Sequence, residues 1–105
     1  MALEIDGNSL TLNHVKAVAR QGAMVTLCDD ARTRMRQSRD WVKHSNQLNS
    51  PVYGVNTGFG SLARVRIDPS QSSLLSWNLI RSHAAGVGPI APLDVTRATM
   101  LLRAN

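Results

Sequence analysis

Chain breakers constrain this sequence more than any other feature. Gly22, Asn49-Ser50-Pro51, Asp68-Pro69 and Gly86-Val87-Gly88-Pro89 divide the 105 residues into short pieces, because glycine and proline end helices and the residue before a proline avoids the helical region. The pieces carry recognisable periods. Leu3-Glu4-Ile5 alternates and runs into the turn tripeptide Asp6-Gly7-Asn8, which predicts a short strand over 2–6. Thr11 is placed to cap a helix over 12–20 with an apolar stripe of Leu12, Val15, Val18 and Ala19. Residues 23–28 are short, apolar and β-branched, a second strand able to pair with the first, as a hairpin or otherwise. Asp29 and Asp30 are cap candidates for a long helix over 31–48, whose thin apolar face is Ala31, Met35, Trp41, Val42 and Leu48. Asp68-Pro69 opens a helix to about residue 85, and a last one starts near 92–94 and carries Val95, Ala98, Met100, Leu101 and Leu102. The reading is α+β and mostly helical: a small N-terminal strand pair and about four helices.

Composition narrows the class. Hydrophobic residues make up 43 % and aromatics only 4 %, so a core is possible but must be aliphatic, and the domain is marginal by itself. The largest apolar run falls short of a membrane span, and the N-terminus carries early acids and no basic region ahead of an apolar one, unlike a signal peptide. A cytoplasmic location is the expectation. Cys28 is the single cysteine, which excludes an internal disulfide or a thiolate zinc cluster; no metal is expected. The net charge of +5 admits a polyanion partner. Arg32, Arg36, Arg39 and Lys43 recur along one helix face, where a solvated face outweighs a phosphate-binding one in the absence of an aromatic platform or zinc ligands. No nucleic acid is expected; a basic binding module is the alternative from another class. The apolar pattern of the last helix stops at Arg103-Ala104-Asn105 without a capping glycine or polar tail. The expectation is one part, 1–105, of a longer protein.

Chemistry concentrates in 51–67. Tyr53-Gly54-Val55-Asn56-Thr57-Gly58-Phe59-Gly60 has glycines enough for close ligand approach. Its spacing matches neither a dinucleotide fingerprint nor a P-loop. Asn56 and Thr57 read as loop-shaping, with Asn56 open between a backbone turn and a substrate contact. His14 and His44 read as solvent-facing, Cys28 as core, Trp41 and Trp77 as packing residues.

Together with Asn78-Leu79-Ile80-Arg81-Ser82-His83-Ala84-Ala85-Gly86-Val87-Gly88, this octapeptide closely resembles the aromatic amino acid ammonia-lyases, and the Ser82-His83 pair points to their histidine-specific branch. Leu62-Ala63 and Arg66-Ile67-Asp68 are similar too. The match is tight from Val52 onward and loose before it. The resemblance implies the N-terminal portion of a larger, mainly helical lyase, homotetrameric, that removes ammonia from an aromatic amino acid, with no external cofactor. Its electrophile is a methylidene-imidazolone formed from an internal Ala-Ser-Gly, a triplet absent from these 105 residues; the chain alone is therefore expected to be inactive. The resemblance further implies Tyr53 as general base, a lid over 51–67 that includes Gly54, Asn56, Thr57, Gly58 and Phe59, and His83, Ser82 and Gly60 as substrate-binding residues. A 2,3-aminomutase acting on tyrosine or phenylalanine fits the same motifs. The physical demand is clear: an unperturbed phenol has a pKa of about 10, so at pH 8 only about 1 % is phenolate, a handicap of roughly 2.7 kcal/mol. A working site must place donors or positive charge on that oxygen.

Overall fold

The computed structural model describes residues 2–48 and 50–105. The order is β1 (Leu3–Ile5), α1 (Leu12–Gln21), β2 (Val25–Leu27), α2 (Asp29–Ser45), α3 (Ser72–His83) and α4 (Leu93–Ala104), with 3₁₀ turns at Gly60–Leu62 and Pro69–Gln71. The mostly helical α+β reading holds. The chain forms two compact units, one from 1–36 with 88–105 and one from 37–87. Helix α2 contributes its opening turns to the first and its closing turns to the second.

In the first unit the strands are parallel, with Leu3 opposite Val25, Glu4 opposite Thr26 and Ile5 opposite Leu27. A hairpin is ruled out because α1 is the connection, and a helical crossover returns the chain to the same direction. Thr11 caps α1 as the sequence predicts: its Oγ1 accepts from the His14 N–H at 3.3 Å, and His14 Nδ1 accepts from the Thr11 N–H at 3.3 Å. This reciprocal capping box leaves His14 half-buried and engaged, not merely solvent-facing. Gly22 ends the helix with φ 70°, a left-handed angle that a Cβ would penalise. Helix α1 packs on α4, and Ile5, Ala19, Ala31 and Leu101 are the buried apolar side chains. Leu12, predicted on the stripe, is 88 % exposed, since a first-turn side chain overhangs the helix start.

The start of α2 corrects the expected cap. Asp29 and Asp30 lie inside the first turn, where their charge suits the helix dipole. The half-buried Cys28 precedes the helix, its Sγ accepting from the Ala31 N–H at 3.4 Å and its carbonyl from Arg32 at 3.1 Å. Cys28 thus packs at the core edge and does capping work. The helix stops at Ser45 rather than residue 48; of the predicted stop, Asn49 lies outside the described residues. In the second unit, Asp68 Oδ1 accepts from Ser70 N and Oγ at 2.8 and 2.6 Å. It caps a 3₁₀ turn that leads into α3, so the α-helix begins later than Asp68-Pro69 predicts. Trp41 and Trp77 are 56 % and 57 % exposed and are not core residues. The Arg81 guanidinium lies 5.8 Å from the Trp77 ring centroid. His44 is exposed, as expected.

Candidate active site

The buried centre of the second unit is polar. Ser45, Asn56 and Thr57 are its side chains with least exposure, at 1 %, 2 % and 0 %. A buried polar group must find partners, and the Asn56 and Thr57 side chains find theirs on main chain in and next to the Tyr53 loop. Asn56 Oδ1 accepts from the Val52 N–H at 2.7 Å, and its Nδ2 donates to the carbonyls of Ser50 at 3.0 Å and Ser45 at 3.4 Å. Thr57 Oγ1 accepts from the Gly54 N–H at 3.2 Å and donates to the Gly58 carbonyl at 3.0 Å. The choice left open for Asn56 falls to the backbone turn.

An antiparallel bridge between Thr57 and Arg66 closes the loop, with Gly58 N donating to Val65 O at 3.0 Å and Ile67 N to Asn56 O at 2.8 Å. Arg66 Nη2 donates to Leu48 O at 2.6 Å. The bridge was not legible in a sequence without strand periodicity. Gly58 is buried, and a Cβ there would meet Leu62 Cβ at 2.6 Å and Leu62 O at 2.9 Å. Gly54 has φ 72°, and a Cβ there would meet the Phe59 ring at 3.1 Å.

On this frame the Tyr53 side chain is 63 % exposed. Its ring meets Phe59 edge to face, with centroids 5.7 Å apart and planes at 82°. Its hydroxyl accepts from the Gly60 N–H at 3.3 Å. Tyr53, Gly54, Asn56, Thr57, Gly58, Phe59 and Gly60 are therefore one cluster.

Ser82 and His83 form another, at the end of α3. His83 Nδ1 lies 2.8 Å from the Leu79 carbonyl and 3.1 Å from Ser82 Oγ, which itself donates to that carbonyl at 2.9 Å. A carbonyl only accepts, so Nδ1 carries the proton and Nε2 of the neutral ring is an acceptor. Both residues are exposed, and no hydrogen bond joins them to Tyr53 among the described residues. A cleft of about 690 Å³, lined by Arg39, Val55, Phe59, Ser70, Leu75 and Ile80 among others, runs beside the loop. Neither Tyr53 nor His83 lines it. Among the described residues no group of His, Cys, Asp and Glu side chains is placed to hold a metal ion, and no helix is long and apolar enough to cross a membrane.

Residues 10–105 match the family model for aromatic amino acid lyases, and the chain belongs to that family. It is 50 % identical over 101 residues to a histidine ammonia-lyase of Myxococcus xanthus, covering 96 % of this chain and 20 % of that protein. It is 41 % identical over 105 residues to one from Staphylococcus aureus, covering 100 % and 21 %. Among solved structures, the ergothionase of Treponema denticola superposes with a TM-score of 0.93 at 34 % identity, over 98 % of this chain and 21 % of that one. A tyrosine aminomutase from Streptomyces globisporus gives 0.87 at 34 % identity, over 99 % and 20 %. The chain thus spans about a fifth of the length of these relatives and corresponds to their N-terminal part.

Proposed function

We propose that this chain is the N-terminal segment of an ammonia-lyase that converts an aromatic amino acid, histidine foremost, to an α,β-unsaturated acid. Tyr53 is its general base, carried on a lid formed by 51–67. The observation that carries the reading is the Tyr53 oxygen, presented on an exposed ring with the Gly60 N–H donating to it at 3.3 Å. A phenol that must shed its proton to act as a base needs such a donor.

In the reaction the β C–H bond breaks toward that oxygen. Its electron pair becomes the α,β double bond, and the C–N pair departs with nitrogen. The family's electrophile, by resemblance a methylidene-imidazolone, forms from Ala-Ser-Gly. The residues present here do not form it, because no such triplet occurs among them. His83, its Nδ1 held by Leu79, offers Nε2 as an acceptor to a substrate ring N–H. That favours histidine over phenylalanine, whose ring has no N–H to donate. Ser82 orients His83 and Gly60 holds the phenol. The complete enzyme works in the cytoplasm as a homotetramer on an amino acid substrate.

The test is Tyr53→Phe in the complete enzyme. Turnover, read as absorbance of the unsaturated acid, is expected to fall about 10²–10⁴-fold with folding intact; retained turnover removes Tyr53 from the role. The likeness to a tyrosine aminomutase supports a second reading, in which ammonia is re-added at the β-carbon. Product analysis separates them: a β-amino acid as the main product selects the mutase.

A further inference from the structure

Tyr53 is bracketed. The main-chain N–H just before it, of Val52, is held by Asn56 Oδ1 at 2.7 Å, and the one just after it, of Gly54, by Thr57 Oγ1 at 3.2 Å. We propose that Asn56 and Thr57 are positioning residues for the elimination, their side chains fixing the backbone on both sides of Tyr53 so that its phenol is delivered to one place. This rests on the reading of Tyr53 as the base and extends it to two residues that touch no reacting atom.

Three features single these residues out. They are nearly or wholly buried, so they cannot contact substrate directly. Their remaining bonds run to main chain: Asn56 to Ser50 and Ser45, the latter in the last turn of α2, and Thr57 to Gly58. The bracket therefore ties the base-bearing turn to a helix instead of leaving it loose. Finally, among the described residues of 37–87 no apolar side chain is as buried, so packing alone does not hold this segment and the polar bonds must. A loop secured in this way moves as one piece, with Tyr53 fixed relative to 52–58. Positional accuracy matters because a shift of about 1 Å in a reacting group can cost about 100-fold in rate.

The experiment uses the complete enzyme with histidine as substrate. Thr57→Val keeps shape and removes the acceptor for Gly54; Thr57→Ser keeps the hydroxyl. Asn56→Asp keeps the acceptor for Val52 and, when ionised, loses the donor to Ser50 and Ser45. Thr57→Val is expected to lower kcat about 10- to 100-fold with KM within about 2-fold, as for an interaction felt in the transition state, while Thr57→Ser retains turnover. Asn56→Asp is expected to lower kcat similarly. Its rate relative to the parent should climb as pH falls, because the protonated carboxyl regains a donor. Should Thr57→Val fail to accumulate as folded protein, Asn56→Asp decides by the same measurements. Parental kcat in a folded Thr57→Val or Asn56→Asp, equal losses in Thr57→Ser and Thr57→Val, or a pH-independent ratio for Asn56→Asp each overturn the bracket. Failure of the underlying reading looks different: Tyr53→Phe would then turn over normally, whatever positions 56 and 57 do.

Discussion

Gly58 has no room for a methyl group. A Cβ at that position would come within 2.6 Å of Leu62 Cβ and 2.9 Å of the Leu62 carbonyl, and the carbonyl belongs to the 3₁₀ turn Gly60–Leu62, which cannot give way as a side-chain tip would. Gly58→Ala is expected to destabilise the protein by about 1–3 kcal/mol, the range for overpacking a tight site, read as a lowered Tm. An unchanged Tm would mean that the turn shifts freely. At this scale the sequence was a partial guide. Tyr53 and His83 stood out by motif, and the structure leaves both exposed enough to meet a ligand. Asn56 was undecided because its amide suits a turn and a substrate equally well, and only the distances to Val52 and Ser50 resolve it. His14 carried no signal, since capping boxes use Glu or Gln by habit and an imidazole acceptor in that place is recognised only from coordinates. Trp41 and Trp77 misled through size: large apolar rings are buried only where another element arrives to cover them.

Among elements, the most legible are those whose signals are local. Helix α1 lies between Thr11 and Gly22 as read, one residue longer than expected, because capping and left-handed termination involve only neighbours in sequence. The turn after β1 is equally local. Asp6 Oδ1 accepts from the Asn8 and Ser9 N–H groups, both at 2.8 Å, and the Ser9 and Asn8 donors hold its pKa down at about 2 from 3.8. Asp68 shifts in the same direction, chiefly through Ser70. A depressed carboxylate stabilises the fold above its unfolded pKa and loses that contribution as pH falls through the folded value. The Tm of the parent should therefore exceed that of Asp6→Asn above about pH 4, and the gap should close between there and pH 2. A gap independent of pH across that window would show that the charge plays no part. Less legible were the end of α2 and the Thr57–Arg66 bridge. Both involve partners beyond the reach of one helical turn: the Ser45 carbonyl accepts from Asn56 Nδ2 as well as from the nearby Leu48 N–H, and the Gly58 N–H donates to Val65 O.

For the molecule as a whole, the outcome expected under the proposed function is that a verified 105-residue species releases no ammonia from histidine. Measurable steady-state deamination by the short species would overturn the need for an electrophile supplied from outside these residues. The apolar residues Met100, Leu102, Leu93 and Ile80 remain exposed even where their helices were read correctly. Periodicity, breakers and caps are properties of adjacent residues, so the sequence by itself settled that the chain is mostly helical, where α1, α3 and α4 lie to within a few residues, and which family its motifs resemble. The tertiary structure alone decided that β1 and β2 run parallel, that Cys28 caps α2, and that Asn56 and Thr57 grip the backbone on either side of Tyr53. Strand direction, burial and hydrogen-bond partnership are relations between groups that meet only after the chain has folded, and no local pattern encodes which of several polar side chains will be the ones enclosed.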